Sequence, residues 1–409
     1  MKKLSFLLVI LIFFFSACGT TNQNESNTVE KDQKGEGDVS LLTDANNQLA
    51  FNLLSKTKEL EEDNIFLSPS NLYIALSLVY NGADGETKKE MEKLLNFSDA
   101  EALNQANKDF YQALTKSKEG ITLHIANSLW LNDLYSFQDN FQENMESFYD
   151  AKISEVDISS PETPGMINAW VKDNTKGRIK DIVKPPLPPE TIAFLINAIY
   201  LKADWKHAFD PSETRLDDFH LTDGTTKKVE MMTLMDELEY LENERFQAVT
   251  LPYGDGAMSM QIFLPKEGVE FSDEFTFDNW KKWNDRFLKQ EGRVYLPSFE
   301  LEFEVTLKKI LQSLGMTTAF SEKEADFSKM VNETDEVFIQ EVKQKTFLLV
   351  DEEGTEAAGV TSVEMRTTSM VVDGPFEMKI NRPFYLVIKD EETGAILFIG
   401  EITDPPKRN

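Results

Sequence analysis

The stretch Asp351-Glu352-Glu353-Gly354-Thr355-Glu356-Ala357-Ala358-Gly359-Val360-Thr361-Ser362-Val363-Glu364-Met365-Arg366-Thr367-Thr368-Ser369-Met370 decides how the rest of the chain is read. It follows the strand-like run Val337 to Val350 and begins at a permissive glycine. Taken two residues at a time, one face holds Thr355, Ala357, Gly359, Thr361, Val363 and Met365, all small or apolar. The other face holds Glu356, Ala358, Val360, Ser362, Glu364 and Arg366, and so carries every charge. Period-two segregation of this kind belongs to a half-buried strand. The small, polar, Gly/Thr-rich composition equally suits an exposed loop. A segment suited to both states can pass from one to the other.

Working outward, helical periodicity dominates early, as in Leu72-Ala75-Leu76-Val79-Tyr80. Strand-like runs dominate later: Ala257 to Leu264, Arg293 to Phe303, Val337 to Val350, Phe384 to Ile388 and Ile396 to Ile399. The length of 409 residues allows two or three domains. Yet no Gly/Ser-rich or Pro-rich linker interrupts the chain after Ser40, and the cluster Lys184-Pro185-Pro186-Leu187-Pro188-Pro189 reads as a rigid turn within one domain. The pattern predicts one α+β unit with extensive antiparallel sheet.

Six motifs, in order along the chain, resemble those of the serpin family, inhibitors that trap proteases by inserting a cleaved loop into a sheet. Glu353-Gly354-Thr355-Glu356-Ala357-Ala358 is similar to the family's loop hinge. Asn64-Ile65-Phe66-Leu67-Ser68-Pro69 with Gly82-Ala83 and Thr87 resembles its early helix signature. Asn197-Ala198-Ile199-Tyr200-Leu201-Lys202-Ala203-Asp204-Trp205, followed by Phe209-Asp210-Pro211, resembles its central strand and the Trp beneath the point of loop entry. Val229-Glu230-Met231-Met232, Asn381-Arg382-Pro383-Phe384 and Ile396-Leu397-Phe398-Ile399-Gly400 complete the series.

The resemblance covers roughly 40–405 and implies the serpin fold: helices packed on three β-sheets, with an exposed reactive-centre loop at about 352–375 in a single domain spanning 40–409. It also implies that the native state is metastable and that a serine endopeptidase, or a papain-like cysteine one, is caught as an acyl-enzyme. Residues that look like the family's sheet-opening cluster are Ser68, Asn71, Asn197 and Gln344, with Trp205 under the loop entry. Asn71 stands where the family usually has Ser, and Gln344 where it has His, which leaves a cluster without a His-linked pH response. A plainer role for Asn71 is to cap the following helix. Counting fourteen residues past Gly354 places the scissile bond at Thr368-Ser369, with Arg366-Thr367 as the alternative because trypsin-like pockets read Arg. From Ser369 to Asn381 the loop is a few residues longer than the common family pattern.

The N-terminus carries its own message. Met1-Lys2-Lys3 precedes the apolar run Leu4 to Phe15, which is too short to span a bilayer of roughly 30 Å. Phe15-Ser16-Ala17-Cys18-Gly19 resembles a bacterial lipobox, and Cys18 is the one Cys in the chain. The expectation is a lipoprotein signal peptide over 1–17, a lipidated Cys18, a flexible tether over 18–39 and a head held at the outer face of the cell membrane or released from it.

Composition excludes other classes. With 42 Lys+Arg against 71 Asp+Glu the net charge is −29, a field that repels phosphate backbones, so neither nucleic acid nor a heparin-like cofactor is expected. Lys88-Lys89 reads as a solvated face. A lone Cys forbids an internal disulfide, and His124, His207 and His220 are separated from one another and from Cys18, so no zinc site is expected. There is no phosphate loop, nucleophile elbow or HExxH, so no enzyme and no cofactor is expected. Gly224, Gly254 and Gly256 sit in turn contexts. A monomer is expected. The competing readings are a non-inhibitory serpin, against which the inward face carries no large or charged residue up to Val363, and a surface binding lipoprotein, which leaves the alternating hinge unexplained.

Overall fold

The computed structural model describes residues 33–61, 63–188, 191–333, 337–355 and 374–408, with side chains from 39 onward. The stretch 1–17 expected to be a signal peptide and Cys18 lie outside these residues, as do Glu356, Ala357, Ala358, Arg366, Thr367, Thr368 and Ser369. The helices are α1 (Gln33–Lys58), α2 (Pro69–Tyr80), α3 (Gly85–Leu95), α4 (Ala100–Thr115), α5 (Asp139–Asn144), α6 (Thr163–Asn174), α7 (Phe277–Asn284) and α8 (Lys308–Ser313). Helix α1 takes in 33–39 of the stretch expected to be a flexible tether. Its buried stripe Leu42, Ala45, Leu49 and Leu53 packs on the core. Once that stripe has paid the cost of nucleation, good helix formers such as Gln33, Lys34 and Glu36 extend the helix N-terminally.

The strands are β1 (Ile65–Leu67), β2 (Ile121–Asn132), β3 (Lys152–Val156), β4 (Ala193–Asp204), β5 (Arg215–His220), β6 (Thr226–Glu242), β7 (Phe246–Tyr253), β8 (Met258–Pro265), β9 (Leu288–Pro297), β10 (Phe299–Thr306), β11 (Glu341–Val350), β12 (Gly354–Thr355), β13 (Phe376–Lys379), β14 (Phe384–Asp390) and β15 (Ile396–Ile402). They form two hydrogen-bonded networks. One runs β1-β15-β14-β8-β7-β6-β9-β13, with β5 also on β6. The three sheets implied by the sequence resemblance reduce to two networks here because β6 is long enough to serve two of them. Its Met231 to Tyr240 pair with β9, while Glu239 to Glu242 pair with β7.

The second network, β10-β11-β4-β2-β3 with β12 attached to β4, contains the site. Strand β4 is buried on both faces, and its two parities enter different cores. Ala193, Leu195, Ile199, Leu201 and Ala203 join the main core, to which α2 also belongs. Phe194, Ile196 and Ala198 join a smaller cluster with Ile167 and Val171 of α6. A near-continuous apolar run is the expected signature of a strand covered on both sides. Asn197 shares the parity of Leu195 and Ile199 and so faces α2. Among the described residues no helix is long and apolar enough to cross a membrane.

Candidate functional site

Strands β11 and β4 run parallel and pair over Glu341 to Lys345 against Phe194 to Ala198. Beyond that they part. The next residues of β11, Thr346 to Val350, still pair outward with β10. The next residues of β4, Ile199 to Ala203, still pair outward with β2. Each lip of the gap is therefore fixed on its outer side and, among the described residues, has no ladder partner across the opening until the chain turns back after Val350.

That turn is tightly built. Asp351 N donates to Gly354 O at 3.0 Å, and Asp351 Oδ1 accepts from the amides of Glu353 (3.0 Å) and Gly354 (3.1 Å). Gly354 and Thr355 then pair antiparallel with Asp204 and Ala203 of β4. A Cβ on Gly354 would lie 2.2 Å from the Ala203 carbonyl oxygen, so only glycine can approach β4 this closely. Thr355 is 1% exposed, and its hydroxyl lies 2.8 Å from Tyr253 Oη. Burial pushes the Tyr253 hydroxyl well above its ordinary pKa, so it stays a neutral partner.

Trp205 forms the floor. Its ring stacks on Tyr253 at 4.3 Å and 9°. Its indole Nε1 donates to Asp351 O at 2.9 Å, and its amide donates to Glu353 O at 2.8 Å. Phe209 N reaches Glu352 O at 2.8 Å. Of the six expected hinge residues, the three described ones, Glu353, Gly354 and Thr355, are thus already docked at the mouth of the gap.

The closed end of the gap holds the expected cluster. Gln344 pairs in register with Asn197. Its amide clasps the start of α2, accepting from Ser68 N at 2.8 Å and donating to Ser68 O at 2.9 Å. Thr346, two residues on, donates to Phe66 O at 2.6 Å. Asn197 donates to Asn127 of β2 at 2.8 Å. Asn71 does not cap α2: Ser68 occupies the cap position, and Asn71 lies inside the helix, fully buried. Both polar atoms of the Asn71 side chain, and Oδ1 of Asn197, are buried without a hydrogen-bond partner. Such atoms cost about 1–3 kcal/mol each, so this end of the gap stores strain. Trp205 belongs to the other end, under the turn.

Sequence reasoning missed Asn127, Tyr253 and Thr346. Thr346 carried a signal, since it has the parity of Gln344 on one strand. Tyr253 carried none, because its partner lies on another strand 102 residues away. No group of three or more metal-ligating side chains occurs among the described residues.

Comparison with known proteins follows the same outline. The family profile for "Serpin (serine protease inhibitor)" matches residues 44–405. A serpin-like protein of Thermococcus kodakarensis is 32% identical over 431 residues, covering 99% of this chain and 99% of that protein. Human Serpin B11 is 33% identical over 371 residues, covering 84% and 94%. Among solved structures, native tengpin, a thermophilic serpin, superposes with a TM-score of 0.80 at 30% identity, covering 94% of this chain and 97% of that one. Human thyroxine-binding globulin with its ligand gives a TM-score of 0.83 at 28% identity, covering 90% and 100%.

Proposed function

The chain belongs to the serpin family, and we propose that it acts as an irreversible suicide-substrate inhibitor of serine endopeptidases, and secondarily of papain-like cysteine endopeptidases. The observation that carries this reading is the gap between β11 and β4 with Gly354 and Thr355 already paired at its mouth. A strand continuing from those two pairs at constant register descends between the lips. Against β4 it sets Ala357 opposite Leu201 and Thr361 opposite Asn197. Against β11, continuing the turn that pairs Asp351 with Gly354, it sets Thr361 opposite Gln344. Both lips give the same register, and full insertion requires the ladder of Glu341–Lys345 on Phe194–Ala198 to part from its Lys345–Ala198 end, so that Thr361 enters between Gln344 and the buried, unpartnered Asn197 Oδ1.

The chemistry is that of a substrate interrupted. The nucleophile of the protease attacks the carbonyl of Thr368, the bond to Ser369 breaks, and the Ser369 amine leaves with a proton. Arg366-Thr367 is the alternative bond. The freed strand then zips into the gap, making two ladders of hydrogen bonds and burying its small face. The acylated protease is carried with it before water can release it. In this reading the chain supplies no catalytic group and needs no cofactor. Cys18 carries the lipid that tethers a monomeric head to the membrane.

The test is incubation of residues 33–409 with trypsin, pancreatic elastase, subtilisin and papain, read by SDS gels and intact mass. An SDS-stable adduct is expected, with the released C-terminal peptide beginning at Ser369. A peptide beginning at Thr367 moves the bond to the alternative position. Clean cleavage with no adduct from any of the four, and no gain in thermal stability, overturns the reading. For the anchor, Cys18→Ala is expected to move the full-length chain from the membrane fraction to the soluble one.

A further inference from the structure

The hinge turn contains three successive carboxylates, Asp351, Glu352 and Glu353, in a chain of net charge −29. Their mutual repulsion opposes the compact geometry that docks Gly354 and Thr355. Two of them are also withdrawn from water, the side chains of Asp351 and Glu352 being 13% and 15% exposed. Burial raises the Asp351 carboxyl above its usual pKa, partly offset by two amide hydrogen bonds and a neighbouring cation.

That cation is Arg408. The segment after β15 crosses to the turn and sets Arg408 Nη1 at 3.1 Å from Glu352 Oε2 and 3.7 Å from Asp351 Oδ2. The second Glu352 oxygen, Oε1, accepts from the Thr214 hydroxyl at 2.8 Å, so both oxygens of this carboxylate are engaged. Arg408 itself extends from a fixed post. Asn64 Oδ1 accepts from the amides of Thr403 (2.8 Å) and Asp404 (2.9 Å), Asn64 Nδ2 donates to Asp404 O at 2.7 Å, and Lys227 pairs with the Asp404 carboxylate. The guanidinium is thus held against two adjacent carboxylates by a segment anchored on Asn64, the residue before β1, and Arg408 lies 56 residues in sequence from Glu352.

We propose that Arg408 is the positioning residue that keeps the hinge turn closed, so that insertion elongates a strand already begun by Gly354 and Thr355. The proposal rests on the inhibitory reading above. Starting a strand costs more than extending one, because the first pairs fix backbone freedom before further hydrogen bonds follow. A chain that loses the Arg408 contact must form those first pairs after cleavage, while water competes for the acyl-enzyme. The expected result is more cleaved inhibitor per adduct formed, with the rate of first cleavage unchanged.

The experiment uses the full-length chain and five variants: Arg408→Gln, Arg408→Lys, Glu352→Gln, Lys407→Gln and the double variant Glu352→Gln with Arg408→Gln. Lys407→Gln removes the same charge from the adjacent position and serves as the control. Hydrogen exchange is read without protease, at the amides of Glu353, Gly354, Trp205 and Phe209, all of which bond within or onto the turn. Arg408→Gln is expected to speed their exchange about threefold, as suits a partly exposed ion pair. Arg408→Lys should restore part of the protection, and Lys407→Gln should change nothing. In the Glu352→Gln background Arg408→Gln should lose most of its effect.

With a trapped protease, the stoichiometry of inhibition should rise about threefold in Arg408→Gln. Unchanged exchange at the turn in Arg408→Gln overturns the proposal. So does faster exchange with unchanged stoichiometry, because the contact would then hold the turn without serving insertion. Absence of any adduct from the unmodified chain, with exchange still faster in Arg408→Gln, overturns the inhibitory reading and leaves the contact between Arg408 and the turn standing.

Discussion

The same two strands behave differently at their two ends. Where β11 and β4 meet, from Glu341 to Lys345, they share a parallel ladder, locked to the start of α2 by the two hydrogen bonds between the Gln344 side chain and the Ser68 backbone. Above Lys345, among the described residues, each keeps its outer neighbour, and the opening is entered by two residues of β12. On β4 both halves are apolar and β-prone, whereas on β11 the paired half, Glu341-Val342-Lys343-Gln344-Lys345, is more polar than the parted half, Thr346 to Val350, so hydrophobicity does not decide which end is closed. The difference lies in what crosses the gap. The closed end is fastened by a side chain of the sheet that bonds the backbone of another layer, while the open end is occupied by the chain's own return. A sheet arranged in this way can admit a strand from one end only.

The contrast can be broken most severely at its mouth. Gly354→Val puts a branched side chain where even a Cβ meets the Ala203 carbonyl at 2.2 Å. The turn should leave β4, and the chain should become a plain substrate, with stoichiometry of inhibition raised at least about tenfold. Thr355→Arg forces a charge into a site that is 1% exposed and beside Tyr253, and should act in the same direction at similar size. Unchanged stoichiometry in either variant would refute the docked hinge.

At the closed end, Gln344→Ala leaves the amide of Ser68 buried without a partner and its carbonyl with only the Leu72 amide, at 3.3 Å, at a cost of about 2 kcal/mol. The thermal midpoint should fall and the lower ladder should exchange faster. Asn71→Leu should do the reverse on a smaller scale. It replaces two unpartnered buried atoms with apolar ones of similar volume, so the native midpoint should hold or rise by up to about 1 kcal/mol equivalent, while insertion slows.

The smallest effect concerns pH. Burial raises the folded-state pKa of Asp351 above its unfolded value, so the stability this group contributes is full below the unfolded value and is lost as pH rises through the folded one. Asp351→Asn keeps the acceptor oxygen and removes the ionisation. Its midpoint should exceed that of the unmodified chain at neutral pH, and thermal scans should show the gap closing as the pH is lowered below the ordinary carboxylate range. A gap that widens in acid would mean that the carboxylate is net stabilised in the turn.

Much of the frame was legible from periodicity, and its errors have local causes. The run Val337 to Val350 read as one strand, but the ladder starts at Glu341. Val337, Phe338 and Ile339 are buried in irregular chain, with Ile339 N bonded to Ala319 O, and burial alone imitates a strand in sequence. Arg293 to Phe303 also read as one strand. It is two, because Pro297 offers no amide and Ser298 bonds to Glu230 O and Val350 O while the chain passes from one network to the other. The parity of Thr355 was readable, and its burial agrees with the small face being the inward one. The contacts that organise the site were not readable by pattern. Gln344 reaches Ser68 across 276 positions, and Arg408 reaches Glu352 across 56. Periodicity reports which face a residue takes and is silent about which distant partner meets it. The family resemblance drew attention to Gln344 because the motifs had an order, but nothing of that kind pointed to Arg408.

The pairing of β1 with β15 has a consequence for biosynthesis. Ile65 to Leu67 find their ladder partners only at Ile399 to Glu401, and Asn46 and Asn47 on α1 close on Ile396 O and Gly394 O. The first elements of the head are therefore completed by the last. Nascent chain emerging N-terminus first must hold the α1 and β1 surfaces open until residue 401 has been made, and contacts of such sequence separation form slowly. Through that whole interval β1 and the two asparagines of α1 wait for the partners that complete them.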